Sequence, residues 1–253
     1  MQMAPTVPAH RGERGSSSST SAPPPFAGGY TGLPMANIHD AIFALPPRPP
    51  FRWGASPFHA RGSVYREELA LSDRVLDKIG QPPALTLLKR QGDPALDAFF
   101  AQRFASTEWY DILPLLYFAS TVARARGVTF TQHARDTALA HAENALSGFT
   151  SVVLRLVSNE SVATWLPRIS GWYHDFGGVE TKVVGPRHVR GVRTGLPAPY
   201  VQPWAITAME FSEHILARSG AKDPRAHTLD AEPDGSRDDC ALYRVTFEVK
   251  WGA

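Results

Sequence analysis

The end of the chain alternates without a break. Tyr243, Val245, Phe247, Val249 and Trp251 are apolar, and Arg244, Thr246, Glu248 and Lys250 between them are polar. Side chains of a strand point alternately to opposite faces, so this segment buries one face and leaves the other to water. Something apolar from elsewhere in the chain must cover the buried face.

Upstream of it, AHTLDAEPDGSRDDC predicts the first arm and polar, glycine-containing loop of a hairpin. VETKVV and HVRGVRT flank Gly185 and Pro186 and predict a second hairpin. Between the hairpins, WAITAMEFSEHILARSG returns to helical spacing: Trp204, Ala208, Phe211 and Ile215 share a face and Gly220 closes the segment.

The earlier part of the body is helical. Ser63 precedes YREELALSDRVLDKIG as a helix cap, with Val75, Leu76 and Ile79 facing inward. LTLLKR forms a further helix, and DPALDAFFAQRF has an Asp-Pro start. Ser106 to Glu108 opens EWYDILPLLYFASTVARARG, in which Pro114 starts a new helix or kinks this one. TFTQHARDTALAHAENALSGF then places Leu139, Ala142, Leu146 and Phe149 on one face. SVVLRLVS leads to NESVATWLPRISGWYHDFGG, a short helix anchored by Trp172, Tyr173 and Phe176 and released by Gly177 and Gly178. Helices first, then strand-strand-helix-strand-strand, predicts an α+β domain with helices packed on one face of a small antiparallel sheet.

Residues 1–60 read as a tail and linker. Serine, proline and glycine dominate Ala4 to Gly32, too little apolar surface to offset the entropy of ordering. Leu33 to Pro57 adds Ile42, Phe43, Phe51 and Trp53 among further prolines, and reads as a linker whose aromatics dock on the folded body, the alternative being a proline-rich ligand for a partner domain. Residues 61–253 are expected to form a single domain. With 26 basic against 24 acidic side chains the formal charge is +2, which argues for neither nucleic acid nor a membrane surface as partner. Cys240 is the single cysteine, which excludes an internal disulfide and a cysteine-rich zinc site. The chain start has no continuous apolar core, and no run reaches the ~20 apolar residues of a membrane helix, so a soluble cytoplasmic protein is expected.

From about Leu71 to Trp251 the chain resembles a myxobacterial paralogous family. The resemblance rests on Glu108 to Pro114, the run ending TWLPRISGWYHDFGG, the strand pair after it, the helix from Trp204 and the terminal alternating strand. That family is distantly similar to the vinyl-reductase-like and haem nitric-oxide-binding group of ligand-binding domains, which includes the transport-particle subunits. The resemblance implies a helix-covered antiparallel sheet enclosing an apolar pocket, in a group that is often homodimeric and usually sensory or scaffolding. It implies no catalytic residues.

His133 and His141, eight residues apart on one helix, lie ~12 Å apart along its axis and point ~80° apart, so they cannot share one metal ion. Each could ligate a haem alone, but a lone helical histidine is more often exposed or hydrogen-bonded structure. Tyr117, Ser120 and Arg124 lack the spacing of the propionate-binding motif found in haem-binding members of the wider group. His174 and Asp175 are adjacent on a helix and rarely pair, and no GxSxG elbow accompanies them. No GxGxxG or GxxxxGK[ST] occurs in the required context. Arg187 and Arg193 fall on one face of their strand and His188 and Arg190 on the other, a solvated edge. Cys240 lies beside Asp238 and Asp239, which blunt a thiol nucleophile, and these acids with Asp234 make a polar turn. Trp109, Tyr110, Leu116, Phe149 and Trp165 remain, as core or as the lining of a pocket between helices and sheet. The expectation is a non-enzymatic sensory or scaffolding domain that binds a small apolar ligand or a protein partner between helices and sheet, with no cofactor. The alternative is an enzyme using His174 or His188 as acid or base in the same cleft.

Overall fold

The computed structural model describes residues 50–145 and 157–252. The architecture is α+β, as the residue pattern predicts. A short strand β1 (His59–Arg61) pairs antiparallel with β2 (Trp109–Asp111), and around them lie helices α1 (Gly62–Lys78), α2 (Ala84–Lys89), α3 (Pro94–Phe100), α4 (Leu113–Arg126) and α5 (Phe130–Ala145). After the helix Asn159–Trp165 and two short turns of helix come β3 (Gly178–Gly185), β4 (His188–Pro197), the helix Val201–Arg218, β5 (Lys222–Arg237) and β6 (Cys240–Gly252). The four long strands form one antiparallel sheet in the order β3-β4-β6-β5.

The terminal strand behaves as its alternation dictates. Val245, Phe247, Val249 and Trp251 are buried and Tyr243 packs against them. The Val201–Arg218 helix covers that face, with the Trp204 and Phe247 rings edge to face at 5.8 Å. Trp204 and Ile215 are buried, while Ala208 and Phe211 pack at the margin. Leu113 and Leu116 on α4 enter this sheet-side core. Phe118 and Val122, on the opposite side of α4, enter a second core with Tyr65, Leu76, Leu88, Phe100 and Phe104. α4 is therefore a wall between two cores, apolar on both sides.

Local signals account for most helix ends. Asp93 caps α3, its carboxylate accepting from the Ala95 and Leu96 amides with Pro94 in the first turn. Pro114 sits at the start of α4 and begins a new helix after β2. Phe51 and Trp53 dock on the body: the Trp53 indole donates to Asp93 at 2.9 Å and lies edge-on to Tyr117.

Several expectations are corrected. Ser63 does not cap α1; Arg61 is the residue before the helix and no side chain bonds there. Ile79, just past the last turn, is 51% exposed, so Leu76 carries the inward face. On α5 the buried side is His133, Ala134, Thr137, Ala138 and Ala142, which turns Leu139 out to water; Leu146 and Phe149 lie outside the described residues. The polar stretch read as a hairpin loop is strand up to Arg237. The turn is only Asp238 and Asp239, both at positive φ, a conformation that aspartate tolerates better than most residues.

Candidate functional site

Buried polar groups lie where α1 packs against α5. Tyr65, Glu68, Ser72 and Leu76 are the buried stripe of α1, and Glu68 is a carboxylate in the middle of it. Opposite, α5 presents His133 and His141. His133 Nε2 lies 3.5 Å from Glu68 Oε1, and His141 Nε2 lies 3.4 Å from Glu68 Oε2. Ser72 Oγ donates to the same carboxylate at 3.4 Å. The two histidines cannot share a metal ion, but a carboxylate with two oxygens reaches both.

Protonation follows from the partners. Burial alone would raise the Glu68 carboxyl, but the hydrogen bonds of His133 and His141 and the charge on His141 overcome it and hold the group at about 2. Burial would lower His141, but Glu67 and Glu68 together lift it to about 9, so it is a cation at neutral pH. His133 Nδ1 lies 3.0 Å from the Arg126 guanidinium, which has only protons to offer. Nδ1 must then accept, which leaves the ring proton on Nε2, facing Glu68.

A second polar group stands at the end of the Trp172–Phe176 stretch. Trp172 and Tyr173 do not anchor it: Trp172 is 61% exposed, its ring edge-on to Trp165, and Phe176 alone is buried. His174 Nε2 lies 3.0 Å from the Tyr200 hydroxyl. Asp175 turns away and binds the His59 ring at 2.6 Å, so the adjacent pair serves two different elements. Burial pushes the Tyr200 hydroxyl well above the usual tyrosine range, so it keeps its proton.

Arg193, expected on a solvated edge, is 1% exposed. Its guanidinium donates to the Phe176 carbonyl at 2.8 Å and lies over the Phe176 ring. Glycine makes the approach feasible. Gly177 has φ +70, and a Cβ there would stand 2.2 Å from the Thr194 carbonyl oxygen. Burial lowers the Arg193 guanidinium to about 10, which still leaves it charged at neutral pH.

The residues predicted to line a pocket have separate surroundings. Leu116 is in the sheet-side core. Tyr110 packs with Tyr65 and Phe104 in the other core. Trp109 is half exposed beneath Arg61, and Trp165 is 46% exposed against Trp172. Phe149 lies outside the described residues. A cleft of ≈ 80 Å³ between α2 and α3, lined by Leu85, Leu88 and Phe100, is distant in kind from the ~300–1,000 Å³ of a drug-sized site. His188 is on the open face of the sheet, bound to Glu248 at 2.9 Å, and does not share a cleft with His174. Cys240 is buried, and burial raises its thiol.

Sequence reasoning missed Glu68 and the burial of Arg193. The spacing 65, 68, 72, 76 carried the first signal, since it puts a glutamate in line with the apolar stripe of α1.

A two-core body with helices over one face of a four-stranded antiparallel sheet has counterparts among solved structures. The fold is that of H-NOX domains. An H-NOX family protein solved to probe haem distortion matches with a TM-score of 0.53 at 10% identity, covering 76% of this chain and 95% of that one. Another, solved to modulate haem redox potential through porphyrin distortion, gives 0.52 at 11% identity over 76% and 95%. An oxygen-binding H-NOX domain related to soluble guanylate cyclases, in its oxygen complex, gives 0.51 at 11% over the same shares. No family model and no curated protein matches the chain. Among the described residues of this H-NOX-like fold, no helix is long and apolar enough to cross a membrane.

Proposed function

We propose that the chain is a non-enzymatic sensory or scaffolding domain that holds a small, largely apolar ligand between its helices and its sheet. The observation that carries this reading is the set of buried and half-buried polar groups: Glu68 with His133 and His141 between α1 and α5, and Tyr200 with His174 and Arg193 beside the sheet. Binding sites are mostly apolar with a few convergent polar groups that fix orientation, and the sheet-side core around Leu116 supplies the apolar part. The likeness to H-NOX domains, one of them solved with oxygen bound, supports a ligand-holding role for this architecture.

Haem does not fit the histidines of these two clusters. A ring nitrogen that carries a proton has no lone pair for iron. His133 keeps its Nε2 proton toward Glu68, and His141 is held protonated by two carboxylates. His174 spends its Nε2 on Tyr200. The reading is therefore for a ligand other than a haem held by these histidines.

The test is a thermal-shift screen of small apolar compounds against the wild-type chain and Leu116→Arg, with circular dichroism to verify the variant's fold. Compounds that raise the wild-type melting temperature should lose that effect in the folded variant. Equal responses in both proteins would reject the site.

A further inference from the structure

The face of the sheet turned away from the Val201–Arg218 helix gathers cations at one end. Strand register aligns Lys182, Arg190, Glu248 and His227 in one row across all four strands, and His188, Lys250 and Arg225 in the next. Lys222 and Gly252 pair beyond them, and the Lys222 side chain lies 3.7 Å from where a Gly252 Cβ would stand, which puts its stem on this same face. Glu248 is buried beneath the others: Lys250, His188 and His227 reach its carboxylate within 2.9 Å and Arg190 at 3.5 Å. Arg190, Lys250 and His227 are still about half exposed, and Lys182, Arg225 and Lys222 are exposed.

With histidine counted as neutral, Lys182, Arg190, Lys222, Arg225 and Lys250 stand against two carboxylates, Glu248 and the Asp223 of the β5 bulge. The three positive charges in excess exceed the +2 of the whole chain, so the rest of the molecule is on balance acidic and its cations are concentrated here. Like charges facing each other across strands destabilise a sheet. Lys182 opposite Arg190 and Lys250 opposite Arg225 are two such pairs, and the Glu248 carboxylate touches only one member of each. A bound anion would relieve the repulsion that remains.

We propose that this end of the face binds a short acidic segment of a partner protein. Its cations extend over ~14 Å across four strands ~4.8 Å apart, a span that four or five residues of extended chain cover at ~3.3 Å each. A small anion is better held in a concave pocket, which a flat sheet face does not offer. The next row along the strands sets Glu180 and Asp230 on either side of Val192 and Thr246, and this acidic border limits how far an anion can run. It would repel a nucleic-acid backbone or an anionic bilayer laid on the face. Among the described residues the cationic rows also carry no tryptophan, tyrosine or phenylalanine on which bases could stack. The acidic partner and the apolar ligand proposed above would thus use opposite faces of the sheet, independently of each other.

Fluorescence anisotropy of a labelled hexaglutamate peptide with the full chain, at low and high ionic strength, tests this. Binding should weaken at least about tenfold at high salt, where contacts between exposed charges are screened. Lys182→Glu with Arg225→Glu lies outside the Glu248 contacts and should bind at least about tenfold more weakly, with an unchanged circular dichroism spectrum. Arg74→Glu with Lys78→Glu makes the same charge change at exposed positions of α1 and should bind like wild type. A wild-type chain that does not bind the peptide at low salt, unchanged binding in the sheet variant, or an equal loss in both variants would overturn the proposal. So would a single-stranded oligonucleotide, or vesicles of phosphatidylserine in phosphatidylcholine, that binds more tightly than the peptide and is lost in the sheet variant, since the partner would then be a nucleic acid or a membrane.

Discussion

The two cores on either side of α4 differ in what they bury. The one formed by α1 to α4 is local in sequence and aromatic: Tyr65, Phe99, Phe100, Phe104, Tyr110 and Phe118 are linked by ring contacts, from Tyr65 stacked on Phe104 at 4.4 Å to Phe100 beside Phe118 at 5.4 Å. The sheet-side core draws from Phe58 to Trp251, is largely aliphatic, and is bordered by an arginine, a tyrosine and histidines. Buried polar groups are costly unless partnered, and packing alone does not call for them. The aromatic core is held by ring packing, and the polar groups of the proposed site lie outside it.

The largest effect expected from breaking this contrast is in the aromatic core. Phe100→Ala removes a ring that touches Tyr65, Phe99, Phe104 and Phe118, and should cost about 3–5 kcal/mol in denaturant unfolding. It should leave the pH dependence of stability unchanged, since no charge is involved.

Between α1 and α5 the effect should be smaller and should depend on pH. Glu68→Gln takes the carboxylate from His133 and leaves His141 with Glu67 alone, and should cost about 2–3 kcal/mol near pH 6. The signs follow from the direction of each shift. Glu68 is depressed to about 2, so its contribution is present above the ordinary carboxyl value and is lost as pH falls toward about 2. His141 is raised to about 9, so its contribution is complete below the ordinary imidazole value and is lost as pH rises through about 9. The latch is therefore fullest between roughly pH 4.5 and 6.5. Thermal melts across pH should decline from there toward pH 9, and in Glu68→Gln that decline should flatten. An equally steep decline in the variant would place the proton elsewhere.

Much of the fold was legible in the sequence because its strongest signals are local. Alternation from Tyr243 to Trp251, the Gly185–Pro186 turn, Asp93–Pro94 and Pro114 each act within a few residues. β1 and β2 were not legible, since three residues of pairing leave no period to detect. The site was harder to see. Glu68 meets His133 and His141 only after α1 and α5 pack, and strand alternation gave Arg193 a face without telling which face the Val201–Arg218 helix would cover. Trp165 and Trp172 show the converse: their apolarity predicts burial, yet they pair with each other at the surface. Trp165→Ala is accordingly the smallest effect expected, within about 0.5 kcal/mol of wild type by denaturant unfolding.

The most direct measurement is native against denaturing mass spectrometry of the purified full chain, with an absorption spectrum of the same sample. A mass excess that disappears on denaturation, without a Soret band, is the expected result and would weigh the ligand. A native mass equal to the chain or to a whole multiple of it, or a Soret band, would contradict a non-haem ligand held between the helices and the sheet.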